Sequence, residues 1–430
     1  MKRYIKEKNV QVKKTGAEVQ ETVAKIIEDI RQNGDLAVRK YSKQFDNWSP
    51  ESFLMSKEEL EKVSKTVSDI DKQTINFAQE SVRRFAQKQY EMIKDFEVEL
   101  FPGVALGQKT VPLNSSGSYV PGGSYPIVAS ANMSITPAVV AGVKRVVSVT
   151  PPFKGEVPKN TIYAMASAGA TEVYCLGGVQ GVVAMALGTE TIKPVDMIVG
   201  PGNKFVAEAK RQLYGEVGID QIAGPSEALV IADDSADPEI VASDLVAQAE
   251  HGVESEVVLI CLSEDFANKV IREVEKQISE LPTGEIAKIC WDNNGEVIVV
   301  DSIEEAAELS DFYASEHVEI QTQQDEWLLE NLTNYGSLFV GEYSTVALGD
   351  KGIGTNHILP TRKAGRYTGG LWVGKFLKTL TYQKSTAEGL KYVAPYCSLS
   401  CAMEGMMGHK ASIDKRLVKC NYPVPNYEKK

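Results

Sequence analysis

Four histidines occur in the 430 residues, His251, His317, His357 and His409, and each lies near an acid or an amide. In "SDLVAQAEHG" (243–252) the apolar spacing predicts a helix, with Gln248 and His251 three residues apart on one face. A hard amide oxygen and a borderline imidazole one turn apart make a mixture that zinc accepts. The ordinary alternative is a surface helix whose last histidine complements the helix dipole. In "YASEHVEI" (313–320), Glu316 and His317 are adjacent at a helix-to-strand junction, an acid and an imidazole that can serve two separate proton transfers. "LGDKGIGTNHILPT" (348–361) sets Asp350, Asn356 and His357 on a glycine-rich loop, which reads as a site in preference to a hinge. "CAMEGMMGHK" (401–410) carries Glu404 and His409; alone it reads as a solvated acid and imidazole. With so few histidines, their joint placement at predicted element ends carries more than any single motif.

Parallel α/β sheets bind ligands beyond the carboxyl ends of their strands, and the turns there offer further candidates. No Gly-x-Gly-x-x-Gly fingerprint follows a strand. The nearest substitutes are "GGVQG" (177–181) and "GPGN" (200–203), the second followed by a helix opening at Lys204. Backbone amides at that helix start suit a phosphate or a ribose; a plain tight turn is the equal alternative.

The elements needed to position these residues are legible. "AEVQETVAKIIEDIRQNG" and "SKEELEKVSKTVSDIDKQ" predict amphipathic helices within 17–95, the first ending on its glycine. From about 117, β-branched runs alternate with helical patterns: "KRVVSVTPP", "TEVYCLGG" and "DMIVGPGN", then "EALVIADD", "SEVVLICLSED", "EVIVVDS", "HVEIQT" and "SLFVGE". That alternation predicts two α/β modules with parallel sheets, breaking near Gly224-Pro225. The tail from about 385 reads as helical and rich in Met and Cys. The chain contains neither a solenoid-period repeat nor a low-complexity tract.

Composition bounds the function. Hydrophobic residues are 43% and charged residues 24%, the values of an ordinary globular protein. A net charge of −12 disfavours nucleic acid as a partner. No apolar run approaches the roughly 18 residues that cross a bilayer, and the opening "MKRYIKEKNVQVKK" lacks an apolar signal core. The six cysteines include no Cys-x-x-Cys pair and are expected to be reduced core residues, although Cys397 and Cys401 lie one helical turn apart. Together these features predict a cytoplasmic protein without a membrane partner.

The strings "YVPGG" (119–123), "VTPP" (149–152), "GGVQG", "GPGNKFVAEAKRQ" (200–212), "AGPSEALVIAD" (223–233), "ASDLVAQAEHG" (242–252), "YASEHVEIQT" and "GTNHILPT" (354–361) resemble, in order and over nearly the whole chain, the histidinol dehydrogenase family. The resemblance implies two Rossmann-like parallel-sheet domains with small helical N- and C-terminal segments, in a domain-swapped homodimer. The implied division is an arm at 1–16, a first α/β domain from 17–118 and 226–371 bearing the zinc and catalytic residues, a second at 119–225 on the NAD side, and a helical tail at 372–430. It implies zinc on Gln248, His251, Asp350 and His409, general bases at Glu316 and His317, and NAD contacts at Tyr119, Gln180 and Asn203. Substrate contacts fall on Ser226, His317, His357 and Glu404, beside the metal ligands. The implied reaction is a double oxidation, primary alcohol to aldehyde to carboxylate, with two NAD.

One segment departs from histidinol enzymes. Between Asp350 and Glu388 there is no acid, while Lys351, Arg362, Lys363, Arg366, Lys375, Lys378 and Lys384 are all cations. Histidinol carries an ammonium group, which such a lining repels; an anionic substrate is favoured. The segment, with "SYVPGGSYPIVASANMS" (118–134), resembles the branch of the family that oxidises 2,3-dihydroxypropane-1-sulfonate to sulfolactate. Three alternatives stay open: histidinol as substrate, another small polar alcohol, and a catalytically inactive metal- and NAD-binding scaffold. The cations themselves have another reading, facing the NAD pyrophosphate or solvent.

Overall fold

The computed structural model describes residues 2–9, 16–122 and 126–427. Part of the expected N-terminal arm and residues 123–125 of the "SYVPGGSYP" string lie outside the described residues. In chain order the elements are β1 (Arg3–Lys6), α1 (Gly16–Asp46), α2 (Lys57–Thr66), α3 (Asp69–Glu91), β2 (Phe96–Phe101), β3 (Val104–Pro112), β4 (Ser115–Tyr119), α4 (Val128–Val140), β5 (Arg145–Thr150), α5 (Lys159–Ala168), β6 (Glu172–Cys175) and α6 (Gly178–Leu187). Then come β7 (Met197–Val199), α7 (Lys204–Leu213), β8 (Gly218–Ile219), β9 (Glu227–Ala232), α8 (Pro238–Ala249), β10 (Glu256–Cys261), α9 (Glu264–Glu280), α10 (Gly284–Asn294), β11 (Gly295–Val299) and α11 (Ile303–Tyr313). The last are β12 (His317–Gln321), α12 (Asp325–Asn331), β13 (Ser337–Val340), α13 (Val346–Lys351), β14 (Leu377–Ser385), α14 (Leu390–Glu404) and α15 (Met407–Lys419).

The chain divides into two compact units, 1–90 with 113–376, and 91–112 with 377–430. The larger unit contains both parallel sheets. One has the order β6-β5-β4-β7-β8 with every pairing parallel. The other has the order β1-β11-β10-β9-β12-β13, parallel except for the antiparallel edge strand β1. In each, the first parallel strand in sequence lies in the middle and the chain winds outward first to one side, then to the other. This is the doubly wound order, and it opens a crevice where the winding reverses, between β4 and β7 in one sheet and between β9 and β12 in the other. The expected strands and their interleaved helices are all present.

Burial accounts for the apolar runs. The helices α8, α9 and α10 cover one face of the six-stranded sheet, burying Val230, Leu245, Leu259, Phe266 and Trp291. The other face buries Leu229, Ile231, Ile260, Ile320 and Leu328. With both faces covered, β9 and β10 read as near-continuous apolar sequence instead of alternating. The α1 stripe Val23, Ile26, Ile27 and Ile30 closes the core of the five-stranded sheet. That helix does not end at Gly34 as its sequence suggests: it breaks there, with φ 50 and ψ −130, and resumes to Asp46. A glycine tolerates that left-handed φ without a side-chain clash, and beyond it Ala37, Val38 and Tyr41 rejoin the same core.

The smaller unit pairs β14 antiparallel with β3 and β3 with β2, and packs α14 on α15. The tail expected to be helical over 372–430 is therefore helical only from α14 onward: it opens with strand β14, which is mostly exposed and so carries little apolar signal. Cys175, Cys261 and Cys290 are buried as expected, but Cys397 is exposed and Cys401 and Cys420 are half-buried, so these three are not core residues. No helix among the described residues is long and apolar enough to cross a membrane.

Candidate active site

The amino ends of β9 and β12 gather the acid and imidazole chemistry, at the edge of the sheet opposite the carboxyl-end crevice where the turns were first sought. Ser226 immediately precedes β9, Glu316 immediately precedes β12, and His317 is the first residue of β12. The α11 helix stops at Ala314, a non-glycine residue held at φ 50, and this tight left-handed cap turns the chain straight into Glu316 and His317. Crossover helices run antiparallel to their strands, so the C-terminal end of α8 returns to the same edge. Gln248 lies in its last turn. His251 falls beyond the helix, in a turn whose backbone N–H donates to the Gln248 carbonyl at 3.2 Å. The two side chains therefore leave a helix end and the turn after it, not one continuous helical face.

Hydrogen bonds define the state of each group. Glu316 is buried, and its Oε2 accepts from Ser226 Oγ at 2.7 Å and from the Glu227 backbone N–H at 3.1 Å. Burial pushes its carboxyl up to about 8 against these two bonds. His317 Nδ1 lies 3.0 Å from the Glu227 carbonyl oxygen, which can only accept, so Nδ1 carries the hydrogen. The other nitrogen, Nε2, is then a bare lone pair, and it is buried with no hydrogen-bond partner among the described residues. Burial also lowers the His317 pKa, keeping the ring neutral. A neutral imidazole with a bare Nε2, its Nδ1 3.6 Å from the Glu316 carboxyl, is an arrangement able to take up a proton.

A second cluster adjoins it. Donor atoms of His317, Asp350 and His357 all lie within 4.8 Å of one another. Asp350 Oδ1 meets His357 Nδ1 at 3.1 Å, and the His317 and His357 rings stack with centroids 5.6 Å apart. Burial works against the Asp350 charge, but the His357 hydrogen bond and the nearby Lys351 cation hold its pKa down at about 2, so it is ionised. His251 is open to solvent on one side yet enclosed enough that desolvation lowers its pKa; the Asp350 charge opposes this, and Lys351 and His317 add to it. Gln248 is buried. Ser226 already gives its proton to Glu316, and its contact to Gln248 Oε1 is a long 3.5 Å, which leaves that amide oxygen available. The His357 loop rests on α4: Asn356 Nδ2 donates to the Met133 carbonyl at 2.7 Å, and the His357 N–H meets the Met133 sulfur at 3.2 Å.

The three residues implied for NAD lie at the carboxyl edge of the five-stranded sheet. Tyr119 ends β4, at the reversal point; burial raises its phenol to about 12, against a hydrogen bond from the Gly178 backbone. Gln180, in the first turn of α6, donates to Asp46 Oδ2 at 2.8 Å, and its own Oε1 is buried without a partner among the described residues. Asn203 caps α7, its Oδ1 accepting from the Phe205 and Val206 N–H groups at 3.0 and 3.1 Å. Its carbonyl is thereby committed to the helix and only its amide NH2 remains. Glu404 and His409 belong to the smaller unit, at the end of α14 and the start of α15, and both are exposed.

The cations after Asp350 separate by their contacts. Lys363 lies over the Phe312 ring at 3.7 Å, Arg366 Nε donates to the Lys363 carbonyl, and Lys384 pairs with Glu97 at 2.6 Å. Arg362 differs. Its backbone N–H donates to Glu227 Oε1 at 2.7 Å, and a Cβ on Gly224 would stand 2.6 Å from its Nε, so its side chain lies along the loop that leads to Ser226. Glu227 was not singled out from the sequence. It supplies both backbone contacts to Glu316 and His317, and burial raises its own carboxyl to about 7. Its only sequence signal is an acid opening a strand that is otherwise apolar. Asp46 had none, because its partner Gln180 lies far along the chain.

Comparison with known proteins identifies the family. The family profile described as histidinol dehydrogenase matches residues 9–417. The chain is 52% identical to a histidinol dehydrogenase homolog of Shouchella clausii, covering 97% of this chain and 99% of that protein. It is 45% identical to a sulfopropanediol 3-dehydrogenase of Ruegeria pomeroyi, covering 97% and 96%. A crystal structure of histidinol dehydrogenase from Elizabethkingia anophelis superposes with a TM-score of 0.90 at 34% identity, covering 96% of this chain and 95% of that one. With the family profile matched over residues 9–417 and relatives and a solved structure of that name covering almost the whole chain, the chain belongs to the histidinol dehydrogenase family, a family of NAD-dependent, zinc-binding dehydrogenases.

Proposed function

We propose that the protein is a zinc- and NAD-dependent dehydrogenase that converts (R)-2,3-dihydroxypropane-1-sulfonate to (R)-3-sulfolactate, through the aldehyde and with two NAD. The observation that carries the substrate assignment is Arg362, a cation in an acid-free segment, lying along the loop that leads to Ser226. A sulfonate presents three acceptor oxygens to a guanidinium, whereas the ammonium group of histidinol would be repelled. The relative named sulfopropanediol 3-dehydrogenase, at 45% identity, supports the same reading.

The residues present fit both groups. Ionised Asp350, the neutral imidazole of His251 and the available oxygen of Gln248 make a mixed N/O donor set suited to zinc. In a domain-swapped homodimer, a second copy of the chain would supply His409 as the fourth ligand and Glu404 to the substrate. The unpartnered buried oxygen of Gln180, with Tyr119 and Asn203 at the sheet's reversal point, suits a dinucleotide. When bound, zinc holds and polarises the substrate hydroxyl, and NAD takes up hydride.

The chain's own residues then divide the proton transfers. His317 Nε2 receives the hydroxyl proton as the alcohol is oxidised. Glu316 takes a proton from the water that adds to the aldehyde once its carboxyl is ionised, a fraction that grows as pH rises toward about 8, and the resulting hydrate is oxidised in turn. Ser226 holds the Glu316 carboxyl in place, and His357 steadies Asp350. The overall balance is one alcohol, two NAD and one water giving one carboxylate, two NADH and three protons. Action on a small polar anionic substrate in the cytoplasm completes the reading.

Histidinol oxidation is the second reading, supported by 41% identity to a histidinol dehydrogenase of Methanothermobacter thermautotrophicus. The deciding experiment follows NADH from purified zinc-loaded protein with the sulfonate diol and with histidinol, with and without a chelator. Chelator-sensitive NADH from the diol is expected. NADH from histidinol alone would replace the substrate assignment, and none from any alcohol would favour an inactive scaffold.

A further inference from the structure

Behind the Gly200–Asn203 turn lies an ion pair that the chemistry above does not use. Lys210 and Asp220 have side chains only 3% and 0% exposed and are bonded to each other. Both also hold the same residue, through the two peptide groups that flank it: Asp220 Oδ2 accepts the Gly200 N–H at 2.8 Å, and Lys210 Nζ donates to the Gly200 carbonyl at 2.9 Å. Asp220 Oδ1 additionally accepts the Gln221 N–H at 2.6 Å. Lys210 stands on α7, the helix that the turn opens, and Asp220 follows β8, the edge strand. The pair thus ties helix and strand to one residue of the turn between β7 and α7.

Stability alone is a poor account of this pair, because desolvating two charges offsets most of their attraction and apolar residues often fill such a place equally well. What the charges add is direction at both ends of one residue. Gly200 sits at φ +113, and a Cβ there would stand 2.2 Å from the Tyr119 carbonyl oxygen. A Cβ on Gly202 would meet Val206 at 2.3 Å and the Tyr119 ring at 3.3 Å. The turn is pressed onto the end of β4 with no slack, so the placement of Gly200 sets where Asn203 stands relative to Tyr119.

We propose that Lys210 and Asp220 are positioning residues for NAD: by clamping both polar groups of Gly200 they fix the spacing between Tyr119 and Asn203 that the dinucleotide requires. This rests on the assignment of NAD to the β4–β7 crevice. It adds that affinity for the cofactor, and not the proton chemistry at Glu316 and His317, depends on a charge pair that never touches the cofactor.

The test uses zinc-loaded protein carrying Lys210→Met with Asp220→Asn, a pair that removes both charges while leaving an oxygen for the Gly200 N–H. The expected result is a rise of about tenfold or more in the Kd for NAD, read by fluorescence titration without alcohol, and in KM for NAD, with kcat at saturating NAD and KM for the alcohol within about threefold of wild type. A folded double variant with an unchanged NAD KM overturns the proposal, as does a loss confined to kcat. Asp220→Glu is the second arm, since it keeps the charge and displaces the acceptor by one methylene. It should raise the NAD KM by several-fold, and an unchanged value again overturns the proposal. Two substitutions made singly in the wild type control for the cofactor reading. If Asn203→Ala and Tyr119→Phe leave its NAD KM unchanged, the crevice assignment falls and this proposal falls with it. If they raise it and the ion-pair variants do not, only the positioning role is lost.

Discussion

Replacing Glu316 by Gln tests the division of labour between the two bases. The carboxyl is 8% exposed and is displaced by burial from 4.5 to about 8. Each tenfold change in proton affinity is worth about 1.36 kcal/mol, so the folded protein disfavours the charged form by about 5 kcal/mol. The sign follows from the folded value lying above the unfolded one. The stability linked to this group is full below about 4.5 and is lost as pH rises toward 8, because the unfolded chain ionises first. Glutamine keeps the shape and an oxygen for the Ser226 and Glu227 donors but cannot ionise. Thermal melts of metal-free protein should therefore show wild type and Glu316→Gln together near pH 4.5, with the variant increasingly the more stable up to pH 8.5. In the zinc-loaded enzyme the same change removes the base that activates water, which typically contributes about 10²- to 10⁴-fold. Alcohol oxidation should continue on His317, so NADH per alcohol falls from two toward one and an aldehyde trap captures the product. A variant that still yields two NADH per alcohol at the wild-type rate would refute the assignment of Glu316. A stability gap that does not widen with pH would refute its burial-raised pKa.

Further outcomes follow from the same geometry. Asp350→Asn removes the ionised ligand and frees His357, so zinc affinity should fall by more than about 100-fold, read as metal retained after dialysis. Arg362→Ala should raise KM for the sulfonate diol by about tenfold or more, the worth of one charge-assisted hydrogen bond, without lowering any turnover of histidinol; an equal loss on both would sink the charge argument. Asn203→Ala removes a helix cap worth about 1 kcal/mol as well as the amide at the crevice, so a small drop in melting temperature should accompany a raised NAD KM. Gly200→Ala places a Cβ 2.2 Å from the Tyr119 carbonyl oxygen in a backbone conformation unsuited to alanine, and NAD binding measured by fluorescence titration should be lost or strongly weakened.

Much of the fold was legible because burial leaves local marks. The apolar runs of β9 and β10, the glycine and proline turns after β5, β6 and β7, and the amphipathic stripe of α1 each announce an element within a window of about ten residues. The chemistry was legible for a different reason: four histidines beside acids or amides in so long a chain leave little background, and Glu316-His317 is adjacent in the sequence itself. Only the tertiary structure decided which nitrogen of His317 is the free one, because that depends on the carbonyl of Glu227, 90 residues away. It also moved the site to the amino ends of the second sheet, where α8 and α11 deliver their C-termini, and placed His251 past the helix it was assigned to. The gathering of His317, Asp350 and His357, the seating of Arg362 along the loop before Ser226, and the clamp on Gly200 were equally invisible in the string. Propensity and pattern act over a few residues, whereas a proton's position or an ionised aspartate depends on desolvation and on partners that the chain brings together only when both sheets are formed.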